Sequence, residues 1–322
     1  MSIWAVADIH ASRTDPSTGL PSKPMDIFGP RWENHLERLQ EAWRRRIAAA
    51  DTVIVAGDID WALHLEDARE TLLMLDSLPG RKILLRGNHD YWWSSKTTNR
   101  VRSALPPSLA VLHNNSFKVD GFNVCGTKGS PVPGGMDWTD QDTKLLNREE
   151  HRLRLSLETR DRTLPTVVAL HYPPFYRAHD DSPFRHMIEK EGVAAVVYGH
   201  LHSDAAGAGP GGRINGVEYR LVAGDALGFA PLEIGRDGRL LGGCVSAEPG
   251  AHGINPAGRT EGDTSGGATM NQRDLPLSDL KDLAEDEVSE RQQEVGDEAQ
   301  ARELLDLPME STEALAREPR ED

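Results

Sequence analysis

Five short apolar runs each lead into a polar cluster whose residue types can hold metal ions. Residues 3–7 lead into Asp8-Ile9-His10, 52–56 into Gly57-Asp58, and 82–85 into Gly87-Asn88-His89-Asp90. Residues 166–170 end at His171, and 193–198 lead into Gly199-His200-Leu201-His202. Singly these clusters are ordinary, because an Asp after a strand is a common cap or turn residue and Gly-Asp and Asn-His are turn dipeptides. The same ending on all five runs is not ordinary. Together they supply the carboxylates of Asp8 and Asp58, the amide of Asn88, and the imidazoles of His10, His171, His200 and His202, with His89 in addition. That is enough for two metal ions sharing one bridging ligand.

Carboxylate, amide and imidazole donors suit divalent manganese, iron or zinc, and also cobalt, while the lack of thiolate argues against a structural zinc site. Two such ions bring about +4, and two carboxylates with one bridging hydroxide return about −3, leaving a centre near +1 that attracts an anionic ester. Metal ions also lower the pKa of bound water to about 7 in favourable cases, which supplies a nucleophile at neutral pH. His89 is the imidazole left for proton transfer, with Asp90 available to orient it. The glycines before Asp58, Asn88 and His200 allow tight turns near the metals.

The ordered set Asp8-x-His10, Gly57-Asp58, Gly87-Asn88-His89-Asp90, His171, Gly199-His200-x-His202 resembles the calcineurin-like metallophosphoesterase superfamily over roughly residues 1–245. The extended forms Gly57-Asp58-Ile59-Asp60-Trp61-Ala62 and Asn88-His89-Asp90-Tyr91-Trp92-Trp93 resemble a bacterial branch of predicted phosphohydrolases. The resemblance implies a four-layer α/β/β/α sandwich of two mixed sheets. It also implies one metal on Asp8, His10, Asp58 and His202 and a second on Asp58, Asn88, His171 and His200, with Asp58 as the bridge. Protein phosphatases of the superfamily carry an Arg shortly after the Asp of the second motif, where this chain has Ile59, Asp60, Trp61 and Ala62. That departure disfavours a phosphoprotein substrate.

The elements that must hold these clusters read as an α/β domain, with β-branched runs alternating with helical stripes. Leu36, Leu39, Trp43 and Ile47 mark one helix, and Ala68, Leu72 and Leu75 a second. Leu146, Leu153 and Leu157 mark a third, starting after Asp142 as N-cap. Residues 109–113 and 116–119 read as a hairpin turning at Asn114-Asn115. Residues 217–234 are strand-like with Gly-rich turns. Three long loops, 11–30, 129–139 and 172–183, are candidate binding loops or lids.

Charge divides the chain. Of 51 acidic and 36 basic residues, 20 and 7 fall in 247–322, so the net −15 belongs mostly to that stretch and the preceding domain is near neutral. The sequence therefore divides into a catalytic domain, 1–246, and an acidic tail, 247–322. A near-neutral domain argues against nucleic acid as partner, which calls for a basic face. The tail has no aromatic residue and the composition of disorder, with 280–288 and 302–307 as helix fragments for a protein partner. Cys125 and Cys244 are too few for a disulfide scaffold. No run approaches the roughly 18 apolar residues of a membrane helix, and a cleaved leader would remove Asp8 and His10. These features predict a cytoplasmic protein with no membrane partner.

The expected activity is hydrolysis of a small phosphate mono- or diester. A nucleotide-like diester is favoured slightly by Trp61, Tyr91, Trp92, Trp93, Tyr172, Phe175 and Tyr176, since stacking of a base on an aromatic ring contributes about 1–3 kcal/mol. Packing around the metal loops is the competing use of those rings. Lys128, Arg13, Arg31, Arg177 and Arg185 lie on candidate loops where they could meet a second phosphate. Of the remaining histidines (His35, His64, His113, His151, His179, His186 and His252), His64 and His179 are the best placed to approach the pocket. The rival reading is a non-catalytic scaffold of the same fold, which would be expected to have lost ligands. Here every position is filled.

Overall fold

The computed structural model describes residues 1–131, 138–176 and 180–242. The first half of the chain gives β1 (Ser2–Val6), α1 (His35–Arg46), β2 (Thr52–Ala56), α2 (Arg69–Ser77), β3 (Arg81–Leu85), α3 (Thr98–Ala104) and β4 (Leu109–Val111). There follow β5 (Phe117–Val119), β6 (Phe122–Thr127), α4 (Asp140–Glu158), β7 (Thr166–Leu170), α5 (Pro183–Lys190) and β8 (Ala195–Tyr198). The described part closes with β9 (Gly212–Ile214), β10 (Val217–Leu221), β11 (Leu232–Arg236) and β12 (Arg239–Leu240).

These strands make two six-stranded mixed sheets, ordered β12-β11-β1-β2-β3-β4 and β5-β6-β7-β8-β10-β9. Strands β1 to β4 pair in parallel, as do β6, β7, β8 and β10, and the antiparallel strands lie at the margins. Parallel strands covered on both faces are apolar at nearly every position, which is why β1, β2 and β7 are buried throughout. The two-residue alternation then sorts their side chains into three cores. Trp4, Val6, Val53, Val55 and Leu84 pack with Leu39, Trp43, Leu72, Leu75 and Val101 of the first helices. Ile3, Ala5, Ile54, Ala56 and Ile83 meet Val124, Val167, Ala169, Ala195 and Val197 between the sheets. Cys125, Val168, Leu170 and Val196 pack with Leu146, Leu153, Leu157, Phe184 and Ile188 of α4 and α5. The result is the four-layer α/β/β/α sandwich.

Three local readings are corrected. Residues 109–119 are not a hairpin: β4 pairs with β3 in the first sheet and β5 with β6 in the second, so Asn114-Asn115 lies on the crossing between sheets. The hairpin is β5–β6, turning at Asp120-Gly121, where both residues have positive φ (53° and 83°) as a type I′ turn needs. Asp142 is not the N-cap of α4. Thr139 is, and Asp142 sits three residues on, its carboxylate accepting from the Thr139 N–H at 2.8 Å while its own N–H bonds to Thr139 Oγ1, a capping box. The strand expected from 193 starts at Ala195, because the Val193 N–H is taken by the Ile188 carbonyl at the end of α5.

Loop 11–30 contains a short 3-10 turn, Asp26–Phe28. Parts of loops 129–139 and 172–183, including Arg177 and His179, and the whole of 243–322, with Cys244, His252, the acidic tail and its helix fragments, lie outside the described residues. Among the described residues no helix is long and apolar enough to cross a membrane.

Candidate metal centre

The C-terminal ends of β1, β2 and β3 in one sheet and of β7 and β8 in the other open onto one edge of the sandwich. The sheets are tied there by a parallel bridge between Ala7 and Ala223. The first two loops run alongside each other, with Asp8 N–H on the Gly57 carbonyl (2.9 Å) and His10 N–H on the Asp58 carbonyl (2.9 Å). Asp8, His10, Asp58 and His200 all adopt left-handed backbone, with φ of 58°, 48°, 52° and 71°. For residues other than glycine that conformation costs on the order of 1–3 kcal/mol each, and it persists at sites where the surroundings enforce it. Two glycines make the approach possible. A Cβ on Gly87 would land on Asp58 Oδ1, and one on Gly199 on Asp8 Oδ2.

The side chains converge in two groups. Donor atoms of Asp8, His10, Asp58 and His202 all lie within 4.8 Å of one another. Within that group His202 Nε2 stands 3.4 Å from Asp8 Oδ1 and 3.3 Å from His10 Nε2, and His10 Nε2 stands 3.6 Å from Asp58 Oδ2. In the second group His171 Nε2 lies 2.6 Å from Asn88 Oδ1 and 3.4 Å from Asp58 Oδ2, and His200 Nδ1 lies 3.1 Å from the same Asn88 oxygen. Asp58 belongs to both. Its Oδ1 accepts the His89 backbone N–H at 2.9 Å, whereas Oδ2 is buried and makes no hydrogen bond among the described residues.

This donor set fits divalent cations. His171 Nδ1 faces the Ala56 carbonyl at 3.1 Å and His202 Nδ1 faces the Asp225 carboxylate at 3.1 Å. An N–H on each Nδ1 leaves each Nε2 as a lone pair aimed into its group, the arrangement usual for histidines that ligate metals. Burial drives His10 and His200 well below the usual histidine range, which keeps them neutral and able to donate. Burial also opposes charge on His202, but Asp8 and Asp225 outweigh it and push that imidazole up to about 10. Asp58 shows the reciprocal effect, held well below the carboxylate range by His171 and His89 against its own burial. The pocket between these atoms favours positive charge.

Asp90 and His89 are not partners in the way their adjacency suggests. The Asp90 carboxylate accepts from Gly87 N–H (2.7 Å), Ile59 N–H (2.9 Å), Asp60 N–H (3.2 Å) and Trp92 Nε1 (3.2 Å), so it pins the second and third loops together. Burial, with Asp58 nearby, pushes it up to about 6. The atom facing His89 Nδ1 is the Tyr91 hydroxyl at 3.0 Å, and His89 Nε2 is 3.9 Å from Asp58 Oδ2.

Trp92, Trp93, Tyr172 and Phe175 are buried, while Trp61, Tyr91 and Tyr176 are half-buried. Trp61 stacks on His10 at 4.8 Å, and Lys23 Nζ stands 3.1 Å over its ring. Arg13 pairs with Asp67 (2.9 Å), Arg185 pairs with Glu189 (2.9 Å), Arg31 is exposed and Lys128 is buried. His64 is exposed on the turn before α2, and neither donor group includes His35, His64, His113, His151 or His186. Two residues at the centre carried no readable signal. Asp225 sits in Gly224-Asp225, an ordinary turn dipeptide, and Trp32, whose ring lies 5.6 Å from those of His10 and His202, follows no strand.

Among curated proteins none matches this chain. Several solved structures are similar to it, three of them as follows. The first is AQ665, a protein of unknown function from Aquifex aeolicus, at 16% identity over 72% of this chain and 95% of that one, with a TM-score of 0.41. The second is phosphopantetheinyl hydrolase from Mycobacterium tuberculosis, at 15% over 69% and 88%, TM-score 0.41. The third is TT1561 of Thermus thermophilus, at 16% over 64% and 85%, TM-score 0.40. The profile of the calcineurin-like phosphoesterases matches residues 1–204, and with the Asp8, His10, Asp58 and His202 cluster it supports a metal-dependent phosphoesterase. On that match, which spans well over half of the sequence and both groups of donors, the chain belongs to the calcineurin-like phosphoesterase family.

Proposed function

We propose that this protein hydrolyses small phosphate esters with two divalent ions, one held by Asp8, His10, Asp58 and His202 and the other by Asp58, Asn88, His171 and His200. The observation that carries the reading is Asp58 Oδ2, buried without a hydrogen bond and faced by imidazole nitrogens of His171, His10 and His89 at 3.4, 3.6 and 3.9 Å. A carboxylate oxygen removed from water needs a compensating partner, and a shared cation supplies it. When bound, two divalent ions contribute Lewis acidity and a water ionised near neutral pH.

The chain's own residues do the rest. As an imidazolium, His89 donates from Nδ1 to the Tyr91 hydroxyl oxygen and carries its second proton on Nε2, 3.9 Å from Asp58 Oδ2; that proton passes to the departing ester oxygen and leaves a neutral imidazole. Asp90 keeps the two loops in register for that transfer through its backbone hydrogen bonds. With Trp92, Trp93, Tyr172 and Phe175 packed inside and Lys23 over one face of Trp61, the preference for a nucleotide-like diester rests on Tyr91 and Tyr176.

Metal analysis followed by a screen of generic mono- and diesters tests the reading. Two equivalents of manganese, iron or zinc and turnover abolished by chelation are expected. Protein that takes up no metal, or hydrolyses esters equally well after chelation, overturns it.

A further inference from the structure

Asp225 lies on the turn between β10 and β11, beyond the residues that match the family, and belongs to neither donor group. Its side chain is fully buried. One oxygen stands 3.1 Å from His202 Nδ1 and the other accepts the Ser203 N–H at 2.8 Å, so the carboxylate holds both the ring and the backbone that follows it. Ser203 is itself left-handed, with φ 49°. The turn carrying Asp225 is anchored to the centre from the other side. Gly224 N–H bonds to the Ala7 carbonyl at 2.9 Å, and Phe229 N–H closes the turn on Gly224 at 2.7 Å. The Phe229 ring backs Trp32 at 5.1 Å, and Trp32 in turn backs His10 and His202.

We propose that Asp225 is a positioning residue for the metal centre. It fixes His202 as the Nδ1–H tautomer and aims the Nε2 lone pair at the site formed with Asp8, His10 and Asp58. The physical reason is tautomeric. A neutral imidazole carries its proton on either nitrogen, only the form with a bare Nε2 can ligate here, and a carboxylate on Nδ1 selects that form and raises the basicity of the other nitrogen. This inference rests on the two-metal reading above.

The test uses the full chain as wild type, Asp225→Ala, Asp225→Asn and His202→Ala, titrated with Zn2+ or Mn2+ against a chromophoric chelator that resolves two dissociation constants. Wild type is expected to bind two equivalents. Asp225→Ala should weaken one constant by about 10- to 100-fold, the usual effect of losing such a partner, and leave the other unchanged. Asp225→Asn should recover part of the loss, because one amide oxygen still accepts from Nδ1–H. In 15N-histidine spectra of the zinc-loaded protein, Asp225→Ala should lose the Nδ1–H signal of His202, a change that general loosening of the turn does not produce. Should Asp225→Ala fail to fold, Asp225→Asn carries the same comparison. Loss of a site in His202→Ala while both Asp225 variants bind like wild type overturns the role of Asp225 alone. Wild type without two equivalents overturns the metal reading and this inference with it.

Discussion

His171 Nε2 stands 2.6 Å from Asn88 Oδ1 while its Nδ1 stands 3.1 Å from the carbonyl oxygen of Ala56. A neutral imidazole has one N–H and can donate to only one of these oxygens. The Ala56 carbonyl belongs to the end of β2, and its partner is set by the sheet. The short approach to Asn88 is then a contact between two lone pairs unless a proton or a cation stands there. His202 meets the same choice between Asp225 and Asp8, and in the metal-free protein a proton fills it.

Metal binding should therefore release protons. His202 is pushed up to about 10, above its usual 6.5, so near pH 7 it carries a proton that metal must displace. Affinity at that site should rise by up to about tenfold per pH unit below about 10 and level off above. In the metal-free protein the sign is opposite. The raised pKa contributes stability that is fully present below 6.5 and is lost as pH rises through 10. Calorimetric titrations of Zn2+ in buffers of different ionisation enthalpy count the protons, and a heat independent of buffer rules the exchange out.

Asp58→Asn removes a negative charge that both donor groups share. Both metals should be weakened, and activity should fall with metal content rather than ahead of it. A variant that keeps two equivalents and near-normal turnover contradicts the bridging role.

His89→Ala should keep both metals yet lower turnover of an alkyl phosphoester by about 100- to 10,000-fold, the range for general acid catalysis. A nitrophenyl ester, whose leaving group is stable as an anion, should lose much less. Equal losses on the two esters would assign His89 to charge stabilisation instead.

Gly87→Ala drives a Cβ into Asp58, whose backbone N–H and Oδ1 lie within contact distance and cannot retreat together. Overpacking of this kind costs about 1–3 kcal/mol. At about 2–4 °C per kcal/mol for a domain of this size, the metal-free protein should melt several degrees lower and also bind metal poorly. Gly192→Ala is the control. It meets nothing within 4 Å and carries only the strain of its φ of 63°, so it should leave metal binding intact.

The strands and the residues after them were legible because an apolar, β-branched run broken by Gly, Asp, Asn or His is a local signal, and β2 and β7 span 52–56 and 166–170 as read. Partnership between distant segments was not. Asn114-Asn115 and Asp120-Gly121 both signal turns, and only the pairing of β4 with β3 and β5 with β6 decides which one makes a hairpin. Asp225 was hidden for the same reason. Its value lies in a contact to His202 from 23 residues away, and nothing in Gly224-Asp225 announces it. Asp90 was visible as a polar residue in the right motif, but its carboxylate reaches back to Ile59 and Asp60, not to the neighbouring imidazole.

Ser2 pairs with Arg236, so β1 has one long edge that is covered only by β11, a strand synthesised much later. At synthesis rates of about 5–20 residues per second, that edge waits on the order of 10–50 s. Through that interval the backbone of Ile3, Trp4, Ala5 and Val6 is a template for pairing with any other nascent chain. Slower translation of residues 205–240, or a stop codon placed before β11, should thus send the protein into inclusion bodies even though the segment 1–204 is present. Asp8 and His10 follow directly on that strand, so the ordering of two of the donor residues is tied to the docking of β11.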